Sequence, residues 1–311
     1  MSTSVPSLAS DSTLPDAHAA AVAALGSGRI EEGRAQLLEL VRGQLDPEHL
    51  NDLAVASQMA GRLDDAEALL RAALAIAGQR PDVIENLAAI AALRAEGDRE
   101  WRSQKGVGGP NPLMWERAFP GMPNHSTMGE HCVRYAFAMS KLGGADVLDL
   151  GCGTGYGSEM LTWSARRVRG FDIWQPEPHQ RPRWPGGAEL NYGHDLCTDP
   201  LPTANAATMF EVIEHLPDAP AALRLAWSSV QMIIGSFPNP VYHGSHMNEW
   251  HVNDWTLEEF EHELQAAASV RFGAVEFQHY HQPLKSVLLQ PGRDPNASFW
   301  VVVARGREVA L

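Results

Sequence analysis

The chain has 311 residues, of which 44% are hydrophobic and 20% are charged, a composition typical of a globular protein. Its formal net charge of −14 disfavours a general nucleic-acid binder, because such proteins gain affinity by neutralising phosphates with basic side chains. No apolar run approaches the roughly eighteen residues of a membrane span, so we expect none. Only three cysteines are present and they lie far apart, which predicts a reducing compartment and a cytoplasmic protein.

The N-terminal third predicts a tail followed by a helical domain. Residues 1–16 are polar and rich in Ser and Pro, which indicates a disordered tail. Within residues 17–97, the stretch GRIEEGRAQLLEL (28–40) is matched by GRLDDAEALLRAA (61–73), an offset of 33 residues. This period resembles that of tetratricopeptide repeats, which are pairs of antiparallel helices.

The repeats are too few for an independent solenoid, since about three are normally needed and roughly two and a half are present. We therefore expect this all-α domain to dock on the rest of the chain, on a second copy of itself or on a protein partner. A packing appendage with no ligand of its own is the alternative.

Glycine and proline then interrupt the chain, and residues 98–115 are predicted to be a linker. From residue 116 to 311, apolar strands alternate with helical stretches, which predicts an α/β domain.

The segment ADVLDLGCGTGYGSEML (145–161) begins as a strand, turns through alternate glycines and becomes helical. Such glycines let the backbone pass close to a ligand, and the acid before them suits a ligand that carries an ammonium group rather than a pyrophosphate.

This segment resembles motif I of the class I S-adenosylmethionine-dependent methyltransferases, and the resemblance extends from about residue 116 to the C-terminus. It implies a doubly wound, Rossmann-like sheet with the cofactor at the carboxyl ends of the strands. Asp172 in GFDIW would then take the ribose hydroxyls, and Asp195 in YGHDL would contact the adenine amino group. The implied cofactor-binding residues are Asp149, Gly151, Gly153, Gly155, Asp172, Asp195 and Glu211.

The stretch FEVIEHL (210–216) follows the predicted fourth strand, ATMF (207–210). If the chain turns helical there, Glu211, Glu214 and His215 share one helix face. The E-x-x-E-H pattern resembles methyltransferases of bacterial lipopolysaccharide and surface-sugar pathways. It also resembles small-RNA 2′-O-methyltransferases and ubiquinone-pathway O-methyltransferases, in which these residues bind a divalent ion. His251 matches a later histidine that joins them in the RNA enzymes.

Three uses of this group remain open from the sequence. A neutral histidine can take the proton of an attacking hydroxyl, which makes His215, His251 and Glu214 the predicted catalytic residues. Alternatively, Glu211, Glu214, His215 and His251 hold Mg²⁺, Mn²⁺ or Zn²⁺, which lowers the pKa of that hydroxyl. The third reading is structural: the two acids stabilise a helix N-terminus while the histidine packs.

The upstream segment 116–138 is predicted to form a helix over the cofactor cleft, with Arg134, Tyr135 and His131 as the substrate-binding residues. Arg134 is the preferred contact, because a guanidinium can grip a phosphate or a carboxylate. The alternative is a surface helix whose tyrosine is anchored in the core.

The resemblance implies an S-adenosylmethionine-dependent O-methyltransferase that acts on a hydroxyl of a sugar, in a surface glycan, a nucleotide sugar or a glycosylated metabolite. A metal-dependent RNA 2′-O-methyltransferase is the alternative enzyme, which the acidic charge disfavours. A non-catalytic scaffold, with the repeats recruiting a partner and the methyltransferase fold inert, is the alternative from another class. The three intact acids Asp149, Asp172 and Asp195 argue against it.

Overall fold

The N-terminal part of the chain is a set of consecutive helices. The structure is a computed structural model that describes residues 14–78, 80–105, 125–176, 187–243, 250–283 and 289–308. The helices that precede the sheet are α1 (Leu14–Gly26), α2 (Ile30–Gly43), α3 (Pro47–Met59), α4 (Leu63–Ala77), α5 (Pro81–Lys105) and α6 (His125–Lys141).

The remaining elements build a mixed sheet flanked by helices. In chain order they are β1 (Asp146–Leu150), α7 (Tyr156–Leu161), β2 (Arg167–Asp172), β3 (Glu189–Tyr192), β4 (Ala206–Phe210), a 3₁₀ turn (Ile213–His215), α8 (Ala219–Ser229), β5 (Met232–Pro238), α9 (Pro240–His243), α10 (Leu257–Ala268), β6 (Ala274–Gln282), β7 (Gln290–Pro291) and β8 (Phe299–Arg307). The strand order is β3-β2-β1-β4-β5-β8-β6-β7. The first five strands in that order are parallel, and the others pair antiparallel.

Both faces of the sheet are covered, which is why its central strands are continuous apolar runs. One hydrophobic cluster joins the sheet to α8 and α10. The other joins the opposite face to α6, α7 and the N-terminal helices, so the helical region and the sheet share a continuous core. The sheet flanked by helices agrees with the predicted α/β class. Of the three surfaces on which the helical region was expected to dock, this shared core shows packing on the rest of the chain.

The two copies of the repeated stretch occupy equivalent places in the helical region. Each copy begins in the turn between paired helices, α1 with α2 and α3 with α4. Gly28 and Gly61 take left-handed conformations in these turns, with φ of 80° and 73°. The following arginine N–H donates back into the preceding helix in both cases. The assignment of these pairs to the tetratricopeptide class stays a prediction.

Two boundaries differ from those expected from the sequence. Helix α5 continues to Lys105, so residues 98–105 of the predicted linker are helical, and α1 already begins at Leu14, inside the predicted tail. The rest of the linker and residues 1–13 lie outside the described residues. Among the described helices, none combines the length and the apolar character needed to cross a membrane.

Candidate functional site

The predicted site residues gather at the carboxyl ends of β1, β2 and β4. The loop after β1 passes through Gly151, Gly153 and Gly155, which have φ values of 77°, 56° and 92°. A Cβ on Gly151 would lie 2.3 Å from the nearest side-chain carbon of Val212, just after β4. Only glycine can therefore bring this loop against the end of β4, and the loop leads directly into the N-terminus of α7.

Asp149 lies beneath this loop and is fully buried. Its carboxylate accepts hydrogen bonds from Ser158 Oγ at 2.6 Å, Thr208 Oγ1 at 2.7 Å and Tyr135 Oη at 3.1 Å. Burial raises the pKa of Asp149 to about 6, against the opposing effect of these hydroxyl donors. The geometry gives Asp149 the role of joining α6, α7 and β4 to β1. If a cofactor ammonium contacted Asp149 directly, one of these three hydrogen bonds would have to break.

The other two predicted acids stand at the ends of neighbouring strands. Asp172, the last residue of β2, accepts the N–H of Gly153 at 2.7 Å through one oxygen and the N–H of Trp174 at 2.8 Å through the other. It thereby ties the glycine loop to the end of β2. Asp195 lies three residues after β3, and its carboxylate accepts the N–H of Cys197 at 2.9 Å.

Glu211 has an unusual backbone conformation. Its φ is +54°, and among the described residues it is the non-glycine residue with a positive φ. One carboxylate oxygen accepts the Ser236 hydroxyl at 2.7 Å and lies 3.3 Å from Arg134 Nη1. Such a strained conformation persists only where surrounding contacts hold it. Here the contacts come from β5 and α6.

Glu214, His215 and His251 form a cluster whose ligand atoms all lie within 4.8 Å of one another. Glu214 is buried, its nearer oxygen is 3.9 Å from His215 Nε2, and the two imidazole rings meet edge to face at 4.8 Å. His215 Nδ1 lies 3.0 Å from the carbonyl oxygen of Trp250. Because a carbonyl only accepts, Nδ1 carries a proton, and in neutral His215 the Nε2 atom is unprotonated.

Hydrogen bonds hold the loop that carries His251 against the 3₁₀ turn. The Val252 N–H donates to the carbonyl of Glu214 at 2.7 Å. The Asn253 side chain donates to the carbonyls of Ile213 at 2.9 Å and Leu216 at 2.7 Å. His251 is therefore placed by its neighbours, 36 positions along the chain from His215.

The shared helix face predicted for Glu211, Glu214 and His215 is not found. Glu211 is left-handed, Val212 has φ −129° and ψ −43°, and helical structure begins only at Ile213. The chain thus turns Glu211 toward Arg134 and leaves Glu214 with the two histidines. Of the four predicted metal ligands, the structure brings three together.

The three residues predicted to bind the acceptor have different environments. Tyr135 is 4% exposed, donates to Asp149 and packs against Gly157, so it is a core residue, contrary to the expectation that it lines a pocket. His131 Nδ1 lies 2.7 Å from Tyr156 Oη, and burial, followed by the charge of Arg134, lowers the pKa of His131 to about 3. Arg134 is fully buried, and its Nε donates to Gln282 Oε1 at 2.8 Å.

Two residues that contact the predicted site residues were not predicted from the sequence. Gln282 ends β6 and holds Arg134 from 148 positions away, which no local spacing can indicate. Ser236 lies in β5, and its hydrogen bond to Glu211, 25 positions away, has no local signal in the sequence.

Comparisons with known proteins agree with this arrangement. Residues 126–267 match a family model described as a methyltransferase domain. A probable S-adenosylmethionine-dependent methyltransferase of Mycolicibacterium smegmatis is 38% identical over 111 residues, which cover 34% of this chain and 42% of that protein. A ubiquinone biosynthesis O-methyltransferase of Xanthomonas oryzae is 31% identical over 117 residues, which cover 35% of this chain and 48% of that protein. The chain thus spans less than half the length of these relatives.

Among solved structures, an S-adenosylmethionine-dependent methyltransferase of Thermotoga maritima, described as a possible histamine N-methyltransferase, aligns with a TM-score of 0.47 and 14% identity. The alignment covers 58% of this chain and 91% of that one, and at this similarity it gives no information on the substrate. The family model and the curated relatives are more informative. Residues 126–267 therefore match a methyltransferase domain, and the relatives of this part of the chain include a probable S-adenosylmethionine-dependent methyltransferase.

Proposed function

We propose that this chain is an O-methyltransferase whose acceptor hydroxyl lies against Glu214, His215 and His251. The observation that carries the proposal is the clustering of these three side chains at the carboxyl end of β4, next to the glycine loop. Methyl transfer needs the acceptor oxygen in line with the methyl group and a group that removes its proton. In this site the cluster provides that group.

The proposed acceptor of the hydroxyl proton is Nε2 of His215. Because Nδ1 of His215 donates to the Trp250 carbonyl, the lone pair of Nε2 is available. Bound S-adenosylmethionine would supply the methyl group to the acceptor oxygen and leave as the neutral thioether. His215 would take the hydroxyl proton at Nε2. Glu214, with its nearer oxygen 3.9 Å from Nε2, then stabilises the imidazolium that forms.

The same donor set suits a divalent metal. One carboxylate and two imidazoles are ligands that Zn²⁺ and Mn²⁺ accept, and a metal-bound histidine commonly donates its other N–H to a backbone carbonyl, as His215 does. A bound metal would supply a lower pKa for the acceptor hydroxyl. The residues that would hold it are Glu214, His215 and His251.

Metal titration of chelator-treated protein tests this reading. Calorimetry should detect saturable binding of Mn²⁺ or Zn²⁺ to the wild-type protein. This binding should be lost in Glu214→Gln. It should be retained in Glu211→Gln, because Arg134 and Ser236 already contact Glu211. Loss in both variants would favour the four-ligand site implied by the resemblance to the RNA enzymes. Wild-type protein that takes up no metal would leave His215 as the base.

A sugar hydroxyl is the acceptor we propose. The lipopolysaccharide-pathway resemblance suggests it, and the similarity to an O-methyltransferase of ubiquinone biosynthesis supports an oxygen acceptor. Trp250, which adjoins His251, is 50% exposed, and an exposed aromatic ring offers an apolar face to the C–H groups of a sugar. The net charge of −14 argues against an RNA acceptor.

For the helical region, we propose a tetratricopeptide-like role in binding a protein partner or a second copy of the chain. Its outer helices expose Val22, Met59, Ile84 and Leu93, each by more than 40%. Its inner helix α4 packs on α6, the helix that carries Arg134 and Tyr135.

Cofactor binding can be tested at Asp172. Asp172→Ala should raise the dissociation constant of S-adenosylmethionine about ten- to a hundredfold in calorimetry, because the ribose hydroxyls lose a charged acceptor and the glycine loop loses its tie to β2. Asp146→Ala is the matched control, since Asp146 lies at the opposite end of β1 and pairs with Arg166. Equal affinity in the two variants would refute the ribose role. A wild-type chain that fails to bind the cofactor would favour the inert-scaffold alternative.

A further inference from the structure

A buried arginine without its full set of partners lies beside the glycine loop. Arg134 is fully buried, with its Nε bonded to Gln282 and its guanidinium 4.1 Å from the ring centre of Phe299. Within the described part of the chain, neither Nη1 nor Nη2 has a hydrogen-bond acceptor. A buried charged donor is normally fully satisfied, so these two nitrogens indicate an acceptor that a ligand supplies.

Glu211, which lies next to Arg134, also has an incomplete set of hydrogen-bond partners. Its Oε1 is held by Ser236 and stands 3.3 Å from Arg134 Nη1, and its side chain keeps 14% exposure. Oε2 has no hydrogen-bond partner among the described residues and is not one of the fully buried atoms. The positive φ of Glu211 is a strained conformation of the kind found at ligand sites. One carboxylate oxygen is therefore fixed, and the other is available to a cation.

Both charges lie at the start of α7. Val212, the residue after Glu211, fills the space against Gly151. The pKa of Tyr156, the first residue of α7, is raised chiefly by burial; the charge of Arg134 lowers it and that of Glu211 raises it. The two side chains are adjacent, with Arg134 Nη1 3.3 Å from Glu211 Oε1, so a cationic and an anionic position stand side by side.

We propose that Arg134 and Glu211 form a clamp for the zwitterionic methionine moiety of the cofactor. Arg134 binds the carboxylate through its Nη atoms, and Glu211 binds the ammonium through Oε2. The inference rests on the proposed function, because it assumes that the chain binds S-adenosylmethionine. It moves Arg134 from the acceptor to the cofactor and leaves Glu214, His215 and His251 to the acceptor.

The clamp leaves Asp149 without a direct role at the ammonium. Asp149 is fully buried and already accepts three hydroxyl donors, whereas Glu211 keeps a partly exposed carboxylate. An acid that retains exposed surface can receive a ligand cation without breaking existing hydrogen bonds. On these grounds Glu211, and not Asp149, holds the ammonium.

Cofactor analogues that lack one charge at a time test the clamp by calorimetry. Arg134→Met should weaken S-adenosylmethionine and S-adenosylhomocysteine about ten- to a hundredfold, and should change the affinity for decarboxylated S-adenosylmethionine less than about threefold. Glu211→Gln should weaken all three by about tenfold or more, since each keeps the ammonium. Neither variant should alter the affinity for 5′-methylthioadenosine, which lacks the amino-acid portion.

Arg71→Gln is the matched control for an effect that arises only because a substitution loosens the packing of α6. Arg71 lies against this helix at Gly129 and pairs with Glu67 of its own helix, so its replacement should leave all four affinities unchanged. An equal loss for all four ligands in Arg134→Met would refute the clamp in favour of a structural role. A loss in Glu211→Gln confined to the two sulfonium ligands, S-adenosylmethionine and its decarboxylated form, would refute it in favour of a contact with the sulfonium.

Two further measurements keep these outcomes distinct. Arg134→Lys retains the charge in a smaller group, so it should keep more affinity for S-adenosylmethionine than Arg134→Met does; equal losses in the two would contradict a charge-based contact. Wild-type protein that binds none of the four ligands would refute the proposed function itself, and the clamp with it. Wild-type binding with unchanged affinities in every variant would refute the clamp alone.

Discussion

Replacing His215 with alanine should lower kcat by about two to four orders of magnitude, while the dissociation constant of S-adenosylmethionine changes less than about twofold. His215 Nε2 is the unprotonated nitrogen of an imidazole whose Nδ1 is held by the Trp250 carbonyl, and it lies next to Glu214. The variant removes the proton acceptor but leaves the glycine loop untouched. Steady-state turnover with a sugar acceptor and calorimetry of the cofactor measure the two quantities separately.

Two companion variants separate chemistry from structure. His215→Asn retains an N–H near the position of Nδ1, so it should preserve the contact with Trp250 yet lose turnover as His215→Ala does. His262→Ala removes an exposed histidine of α10 and should leave both quantities at the wild-type level. Turnover in His215→Asn that matches the wild type would contradict a role for Nε2, whether as a base or as a metal ligand.

Elements that depend on local signals were predictable from the sequence. The run VLDL becomes β1, and ATMF becomes β4, because a strand covered on both faces needs apolar residues without alternation. Thr256 and Glu259 begin α10 with both hydrogen bonds of a capping box, a pattern that local sequence spacing indicates. The glycine loop also follows from sequence, since its left-handed positions demand glycine.

The interior of the site depends on contacts that spacing cannot indicate. The i, i+3 separation of Glu211 and Glu214 suggests a shared helix face, but the left-handed Glu211 delays the helix until Ile213. Arg134 belongs to an amphipathic helix with polar neighbours, and nothing local predicts that Gln282 and Phe299 will bury it. Tertiary contacts decided both outcomes.

The relation between the helical region and the sheet was also only partly predictable. The sequence separates them by a linker, yet one hydrophobic cluster extends from α1 through α4 and α6 to the sheet. Helix α6 connects the two parts: one part of its surface packs on α4, and another places Arg134 3.3 Å from Glu211, just after β4. A partner that shifts the helical region would therefore act on the cofactor site through α6.

Because α6 packs on α7 at Gly157, a substitution of this glycine should affect both stability and cofactor binding. A Cβ on Gly157 would lie 1.9 Å from Tyr135 Cζ, far inside van der Waals contact. Gly157→Ala should lower the free energy of unfolding by about 3 kcal/mol, because a fully packed core tolerates added volume poorly. It should also weaken S-adenosylmethionine binding, since a displaced Tyr135 no longer donates to Asp149 beneath the glycine loop. Urea denaturation and calorimetry measure the two effects.

Gly143→Ala is the control with the same chemical change. No atom lies within 4 Å of a Cβ built on Gly143, and the substitution should leave the free energy of unfolding within about 0.5 kcal/mol of the wild type. The difference between the two glycines then isolates the contact with Tyr135. If Gly157→Ala were as stable as Gly143→Ala and bound the cofactor normally, Tyr135 could move without consequence. Asp149 would then hold the loop through Ser158 and Thr208 alone, and α6 would have no influence on the loop through Tyr135.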